Sequence, residues 1–347
     1  MSFVSLTPLF PQMFVGELDR LSLAVTGEIH FAISTGGKVV FECSYVPDAD
    51  GEVNLYELGK IFGCFMPELC AEFSMTVDGE PLGPETITVF HCEYGLVGRA
   101  SDFLQKSFLT SMQSPRQTAA GRYETLSLYS TEDEEAFAGC YYFADGEIIT
   151  RNKSLGSASG SRLLNVSPNR FADGELGMPY AYVVMCGARS ARFEILPAAP
   201  EVSDAFIFRN AFNAWETFYL TGTRETSPEY TRSTANVNGF KRNYVIDEVV
   251  QQKAYTGPLA DGMERVAMDL ARSKAVFFLL GNGDCGDEAL INDCDLKHNN
   301  DGFAASDLNL SYRQATLTYR LADDRTARIH VPRPPRIFDY TFDQTYE

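Results

Sequence analysis

Residues 206–222 read FIFRNAFNAWETFYLTG, and this stretch decides the fold that the sequence predicts. Two runs rich in aromatic residues flank a short segment that contains two asparagines. Aromatic residues suit the pleated, half-buried surface of a sheet. We therefore predict one strand at Phe206–Phe208 and a second at Trp215–Leu220, with a connection between them.

The chain that follows predicts one helix among further strands. Apolar residues recur at helical spacing in residues 259–271, which is typical of a helix with one buried face. The run Val276–Leu280 indicates a buried strand, and residues 315–321 alternate between apolar and polar side chains, as in a half-buried strand. We therefore predict a C-terminal β-barrel or sandwich at 203–331 with a single covering α-helix at 258–273.

An N-terminal β-sandwich module is predicted at 1–108. Its clearest signal is the alternation of apolar and polar side chains over residues 21–45. The glycine pair within Thr35–Lys38 marks a hairpin turn in that run. Residues 110–121 are polar and contain one proline, so a linker is expected there.

A middle β module is predicted at 121–200. Alternating runs indicate strands, and the Asp145–Gly146 pair indicates a hairpin turn. Residues 153–161 are rich in serine and glycine, which predicts a mobile loop. The whole chain is therefore expected to be mainly β, built from several β-sandwich or barrel modules.

Composition excludes some classes of partner. The formal net charge is −18, with 47 acidic residues against 29 Lys and Arg. A phosphate-backbone partner needs clustered cations, and an anionic membrane surface attracts basic segments, so neither nucleic acid nor membrane is expected. The N-terminus lacks a basic segment, which argues against a signal peptide. The eight cysteines include no C-x2-C pair, so free thiols are favoured over a zinc site or disulfides.

No catalytic or cofactor-binding residues are predicted. The weak candidates for a metal site are Asp284, Asp287, Asp293 and Asp295, because hard cations take several carboxylates from one loop. Their spacing fits no EF-hand, and a solvated acidic loop is the favoured interpretation. Neither a P-loop nor a G-x-S-x-G nucleophile elbow occurs in the sequence.

An extended C-terminal arm is predicted at 332–347. Its PRPPR segment cannot continue a sheet ladder. Beyond it Phe338, Tyr340 and Phe342 alternate with polar residues, so these three form the candidate interaction site, where the arm would add to the sheet edge of a neighbouring subunit. Folding back on the same chain and terminal disorder remain the alternatives.

Several short motifs carry a resemblance to a known family. They are Arg209-Asn210, Phe212, Trp215-Glu216, Gly222, Glu229 to Arg232, Pro258-Leu259, Ile291 to Asp295, and Thr316 to Ala322 with Arg325. In these motifs and in their order the chain resembles phage and prophage tail-associated structural proteins of gut bacteria. The resemblance implies a β-rich assembly subunit, similar in plan to distal-tail or baseplate-hub proteins. It includes no catalytic motif.

The expected function is therefore that of a structural subunit of a phage-derived tail or tail-like particle. Such a subunit would contact other tail or baseplate proteins and itself. It would reside in the cytoplasm during assembly and afterwards in the virion or tail-like particle. The alternatives are a carbohydrate-binding or adhesin module, which leaves carbohydrate open as a ligand, and a glycan-active enzyme.

Overall fold

The structure is a computed structural model, in which the protein is mainly β, as predicted. It describes residues 3–94, 98–112, 114–260, 262–280, 283–299 and 312–322. None of the helices in these ranges is long and apolar enough to cross a membrane. The arm predicted at 332–347, with Phe338, Tyr340 and Phe342, lies outside the described residues.

The N-terminal module is a sandwich of two sheets. Its strands are β1 (Phe3–Ser5), β2 (Gln12–Phe14), β3 (Arg20–Val25), β4 (Ile29–Thr35), β5 (Lys38–Tyr45), β6 (Glu52–Tyr56), β7 (Cys70–Val77), β8 (Glu80–Pro81) and β9 (Ile87–Phe90). The smaller sheet has the order β1-β3-β6, and the larger has β2-β9-β7-β4-β5, with β8 paired to β7. Leu23 of the first sheet and Phe31 and Phe73 of the second belong to one buried core.

Two short helices complete this module. Helix α1 spans Leu58–Cys64 and α2 spans Ala100–Lys106. Phe103 of α2 stacks on Phe212, which follows the first strand of the C-terminal module, with ring centres 5.4 Å apart. Phe14 meets the edge of Phe103 at 5.7 Å. The first and third modules therefore share an aromatic cluster.

The middle module is a single sheet. Its strands are β10 (Arg116–Thr118), β11 (Thr125–Ala144), β12 (Glu147–Asn165), β13 (Ala181–Cys186) and β14 (Arg189–Ile195). Their order is β10-β14-β13-β11-β12. The predicted turn at Asp145–Gly146 is confirmed, since both residues have positive φ, 54° and 82°.

Two predictions for this region are wrong. Residues 110–121 are not only a linker, because β10 pairs in parallel with β14; a three-residue strand is too short for an alternating pattern to reveal it. Residues 153–161 are not a mobile loop but part of β12, which pairs with β11 along its length. Gly156 and Gly160, with φ of 92° and 79°, lie where the register between β11 and β12 shifts. Their positive φ angles allow the β-bulges at these positions.

The C-terminal module is one seven-stranded sheet that curls around its core. Its elements are β15 (Asp204–Arg209), β16 (Trp215–Leu220), β17 (Arg224–Val237), β18 (Phe240–Tyr255), α3 (Met263–Arg272), β19 (Val276–Leu279), β20 (Cys285–Asn299) and β21 (Tyr312–Leu321). The strand order is β16-β15-β19-β20-β21-β18-β17. The outermost strands, β16 and β17, are joined by three residues only, so the two ends of the sheet must approach each other. Helix α3 covers the core through Val266, Ala267 and Leu270.

The predicted helix starts too early in the sequence. It was expected at 258–273, but α3 begins at Met263. Gly262 precedes it with φ of 82°, and Gly257 has φ of 72°. Glycine adopts this left-handed conformation at little cost, so Gly262 marks the N-terminal end of the helix.

A buried guanidinium joins the middle module to the C-terminal module. Arg116 of β10 is 3% exposed, and the carboxylates of Glu124 and Glu216 beside it are 0% and 2% exposed. Arg116 Nη2 lies 3.1 Å from Glu124 Oε2, and Nη1 lies 3.6 Å from Glu216 Oε1. Nη2 also donates to the carbonyl oxygen of Thr217 in β16. The guanidinium of Arg116 therefore contacts groups from both modules.

Hydrogen bonds satisfy the carboxylates of this joint. Thr118 Oγ1 donates to Glu124 Oε1 at 2.7 Å, while Thr110 Oγ1 and Asn210 Nδ2 donate to the two oxygens of Glu216 at 2.7 and 2.8 Å. Burial raises the pKa of Glu216, and Arg116 and these donors oppose the rise.

We expect Arg116→Met to lower the free energy of unfolding by about 3–5 kcal/mol, because two buried carboxylates would lose their cation. Urea unfolding followed by the fluorescence of Trp215, the single tryptophan, measures the change. The control is Arg192→Met, which removes an exposed partner 3.2 Å from Glu194 and should cost less than about 1 kcal/mol. Equal losses in the two variants would contradict the role given to Arg116.

Candidate functional site

A two-stranded ribbon projects from the C-terminal sheet. Among the described residues, β18 pairs with β21 only over Gln252–Tyr255, and the rest of β18 pairs only with β17. The strands turn at Asn238 and Gly239, which have φ of 54° and 82°. This hairpin is absent from the sequence prediction, although Asn-Gly is a strong signal for such a two-residue turn.

One face of the ribbon carries an apolar stripe, defined by Pro228, Tyr230, Ile246 and Val250; the same face also carries Glu248, opposite Tyr230, and Arg232, opposite Ile246. Directly opposite residues share a face, and Pro228 pairs with Val250. Side chains on a strand return to the same face every second residue, so the stripe continues the face on which Ala254 enters the core. Tyr230, Ile246 and Val250 are 48%, 56% and 37% exposed. The face that is buried in the body of the sheet is therefore exposed to solvent along the ribbon.

The end of the ribbon is basic. Residues 232–242, here called the tip, contain Arg232, Lys241 and Arg242 and no acidic residue. All three cations are exposed, and Phe240 beside them is 68% exposed. An aromatic ring next to cations is the composition found at energetically dominant positions of protein interfaces.

A polar cleft of about 400 Å³ lies on the opposite face, at the base of the ribbon. Four neighbouring strands line it, with the residues Glu225, Ser227, Gln251, Lys253, Tyr255, Asp293, Asp295, Thr316 and Thr318. Since the inward side chains of β21, Leu317 and Tyr319, are fully buried, the threonines between them must face outward. The alternation of this strand is as predicted.

Strand register arranges the charged groups of the cleft in rows. Asp293 pairs with Thr318, Thr318 with Lys253, and Lys253 with Glu225, so the four residues cross the sheet side by side. In the next row Asp295 pairs with Thr316, and Thr316 with Tyr255. The row places Lys253 beside Glu225, and the lining of the cleft contains these two residues together with Asp293 and Asp295.

The aromatic ring in the cleft is already in contact with charged neighbours. Lys253 Nζ lies 5.6 Å from the centre of the Tyr255 ring, which is within the range of a cation–π contact. The Tyr255 hydroxyl donates to Glu225 Oε1 at 3.5 Å. These contacts hold Tyr255 and Lys253 together at the floor of the cleft.

The structure brings together only half of the weak metal candidates. Asp293 and Asp295 line the polar cleft, whereas Asp284 precedes β20 and Asp287 lies near the start of that strand. Among the residues that the structure describes, no group of three or more His, Cys, Asp or Glu side chains is placed to hold a metal ion. The cleft is therefore better described as an acidic surface than as a set of metal ligands.

The motif residues behind the family resemblance have structural roles. Asn210 and Glu216 belong to the buried joint, and the guanidinium of Arg209 lies 3.9 Å from the centre of the Trp215 ring. A side chain at Gly222 would place its Cβ 2.6 Å from the carbonyl oxygen of Tyr255, where the ends of the curled sheet meet. These positions therefore contribute to the packing of the C-terminal module.

Comparison of the chain with protein-family models, with curated proteins and with solved structures finds no match in any of the three.

We expect Gly222→Ala to destabilise the protein by roughly 1–3 kcal/mol, because its Cβ would overlap backbone atoms that close the sheet. The matched control is Gly63→Ala in α1, where a Cβ meets nothing within 4 Å and alanine favours the helix. Thermal unfolding of both variants measures the difference. A neutral Gly222→Ala would show that the ends of the sheet are not packed as described.

Proposed function

We propose that the protein is a structural subunit of a phage-derived tail or tail-like particle and that it acts through protein–protein contacts. The observation that carries the proposal is the apolar stripe on the projecting ribbon. An isolated two-stranded ribbon is marginally stable in water. A ribbon with Tyr230, Ile246 and Val250 exposed on one face gains stability when another protein covers that face.

The body beneath the ribbon supports this proposal. The buried joint at Arg116 ties the middle module to the C-terminal one, and the aromatic cluster at Phe103 and Phe212 ties in the N-terminal module. Subunits of a particle must hold their contact surfaces in fixed relative positions, and buried contacts between modules supply that rigidity. The family resemblance of residues 203–331 points in the same direction.

A second apolar pair lies on the middle module. Phe143 and Ile148 stand opposite each other beside the Asp145–Gly146 turn, and they are 66% and 60% exposed. An apolar stripe and an exposed apolar pair on separate hairpins suit a subunit that touches more than one neighbour.

The carbohydrate-binding alternative has weaker support. Recognition of a sugar uses an aromatic face that is open to stacking, and the one aromatic ring in the polar cleft, Tyr255, already has Lys253 over it. The contacts of the cleft therefore favour a charged partner over a neutral saccharide.

Particle incorporation tests the proposal. Tail-like particles purified from cells that carry the gene should be labelled by an antibody to this protein, as seen by electron microscopy. The variant Tyr230→Ser/Ile246→Thr/Val250→Thr should fold normally, because the ribbon keeps its pairing, but its incorporation should fall at least about tenfold, since the lost apolar area carries the contact.

The matched control changes the opposite face of the same ribbon. Glu229→Ser and Thr231→Ser alter exposed side chains that do not belong to the stripe, and this variant should be incorporated as the unchanged protein is. Particles without label, in cells whose lysate contains the protein, would contradict the proposed function.

A further inference from the structure

We propose that a cavity between the middle and C-terminal modules binds an organic carboxylate that carries an apolar chain. The guanidinium of Arg122 receives the carboxylate, and the apolar chain lies against Val202, Leu279 and Leu280, which line the same cavity. The site is separate from the apolar stripe of the ribbon, so this inference goes beyond the proposed function and does not rest on it.

The cavity has a volume of about 340 Å³, which lies within the range of small-ligand sites in proteins. Residues 119–123 line it from the middle module, and Ala205, Leu279 and Leu280 line it from the C-terminal module. Among the described residues of its lining, Arg122 is the only one with a charged side chain. An apolar cavity with a single cation has the composition of a site for an anion with an apolar body.

Two hydrogen-bond donors of Arg122 have no acceptor in the part of the chain that the structure describes. Its Nε and Nη2 atoms are shielded from water and make no hydrogen bond there. The guanidinium lies 4.9 Å from the centre of the Tyr219 ring, so this stacking contact takes the face of the group and leaves its edge. Burial lowers the pKa of Arg122. A buried donor without an acceptor is costly, and an anion at the edge of the guanidinium removes that cost.

The nearby carboxylate of Glu124 is already engaged. Its charge acts on Arg122, but its Oε1 accepts a hydrogen bond from Thr118 at 2.7 Å. Its Oε2 accepts a hydrogen bond from Thr217 at 3.1 Å and lies 3.1 Å from Nη2 of Arg116. The joint therefore uses both oxygens of Glu124, and an anion in the cavity supplies the acceptor that Arg122 lacks.

A single carboxylate suits this cation better than a phosphate group does. The two oxygens of a carboxylate match the parallel N–H donors of a guanidinium, and they bring one negative charge to one cation. A phosphate group brings a charge of about −2 into a chain of net charge −18, which already repels anions. The site therefore favours a monocarboxylate.

The apolar walls determine what the carboxylate is attached to. A neighbouring cavity of about 670 Å³ shares Val202, Ala205, Leu279 and Leu280 with the first, so the apolar surface continues past the cavity that Arg122 lines. Leu280 is 49% exposed, and an apolar chain that covers it removes apolar area from water. Free aliphatic carboxylates have this chemistry, and so does the C-terminal carboxylate of a polypeptide that ends in apolar residues.

Isothermal titration calorimetry with small probes tests the ligand chemistry. Hexanoate should bind the unchanged protein at a single site. Acetate, which lacks the chain, and hexanamide, which lacks the charge, should each bind at least about tenfold more weakly. Acetyl-leucyl-leucine should bind more tightly than hexanoate if a polypeptide C-terminus is the source of the carboxylate, and more weakly if the source is a free carboxylate.

Two variants test whether the probe binds in this cavity. Arg122→Met removes the cation, and Ala120→Phe fills the space from an exposed residue of the lining. Each should weaken the binding of the tighter probe at least about tenfold. Arg192→Met removes an exposed arginine elsewhere in the middle module, makes the same change in net charge as Arg122→Met, and should leave the affinity unchanged.

Several results would overturn the proposal. They are the failure of both hexanoate and acetyl-leucyl-leucine to bind at millimolar concentration, equal binding of hexanoate and hexanamide, and full affinity in Ala120→Phe. Circular dichroism melting establishes that each variant is folded, and if Arg122→Met is not, Ala120→Phe decides the result without removing the guanidinium. Particle incorporation, which depends on the stripe, is a separate result in every case.

Discussion

The burial of Arg116 between Glu124 and Glu216 is the constraint on which the rest of the structure depends. A guanidinium that is 3% exposed is stable only where acceptors replace the water that it has lost. The carbonyl oxygen of Thr217, which accepts a hydrogen bond from Arg116 Nη2, and the carboxylate of Glu216, which is ion-paired with Arg116 at 3.6 Å, both belong to the C-terminal module. Separation of the modules would expose apolar surface and break this network at once, so the joint favours one fixed arrangement of the two sheets.

That fixed arrangement also holds the base of the ribbon in one orientation. Strand β16 carries Glu216 on one side of the joint, and only three residues connect the end of this strand to β17, the first strand of the ribbon. Gly222 lies in this connection, packed against Tyr255 of β18. The orientation of the ribbon is thus tied to the joint through a few residues, and a projecting element with an apolar stripe gains little from binding unless its base is held.

Local patterns predicted much of the fold, and contacts distant in sequence account for most of what they missed. Runs rich in aromatic residues revealed β15 and β16, alternation revealed β21, and paired glycines revealed the turn at Thr35–Lys38. The strand at 153–161 was missed because serine and glycine have little β propensity, and only its pairing with β11 makes it a strand. The joint was missed because Arg116 and Thr217 lie 101 positions apart and nothing in their local sequence relates them. The ribbon could have been predicted, since Asn238-Gly239 is a strong signal for its turn. The cleft could not, because its position depends on the register of four strands.

Hydrogen exchange in increasing urea, followed by mass spectrometry, tests most directly whether the joint makes one body of the two modules. The slowest backbone amides of β13 in the middle module and of β15 in the C-terminal module should lose protection with a common urea dependence, because cooperative units open together. Separate transitions for β13 and β15, with one strand exchanging while the other stays protected, would contradict this account.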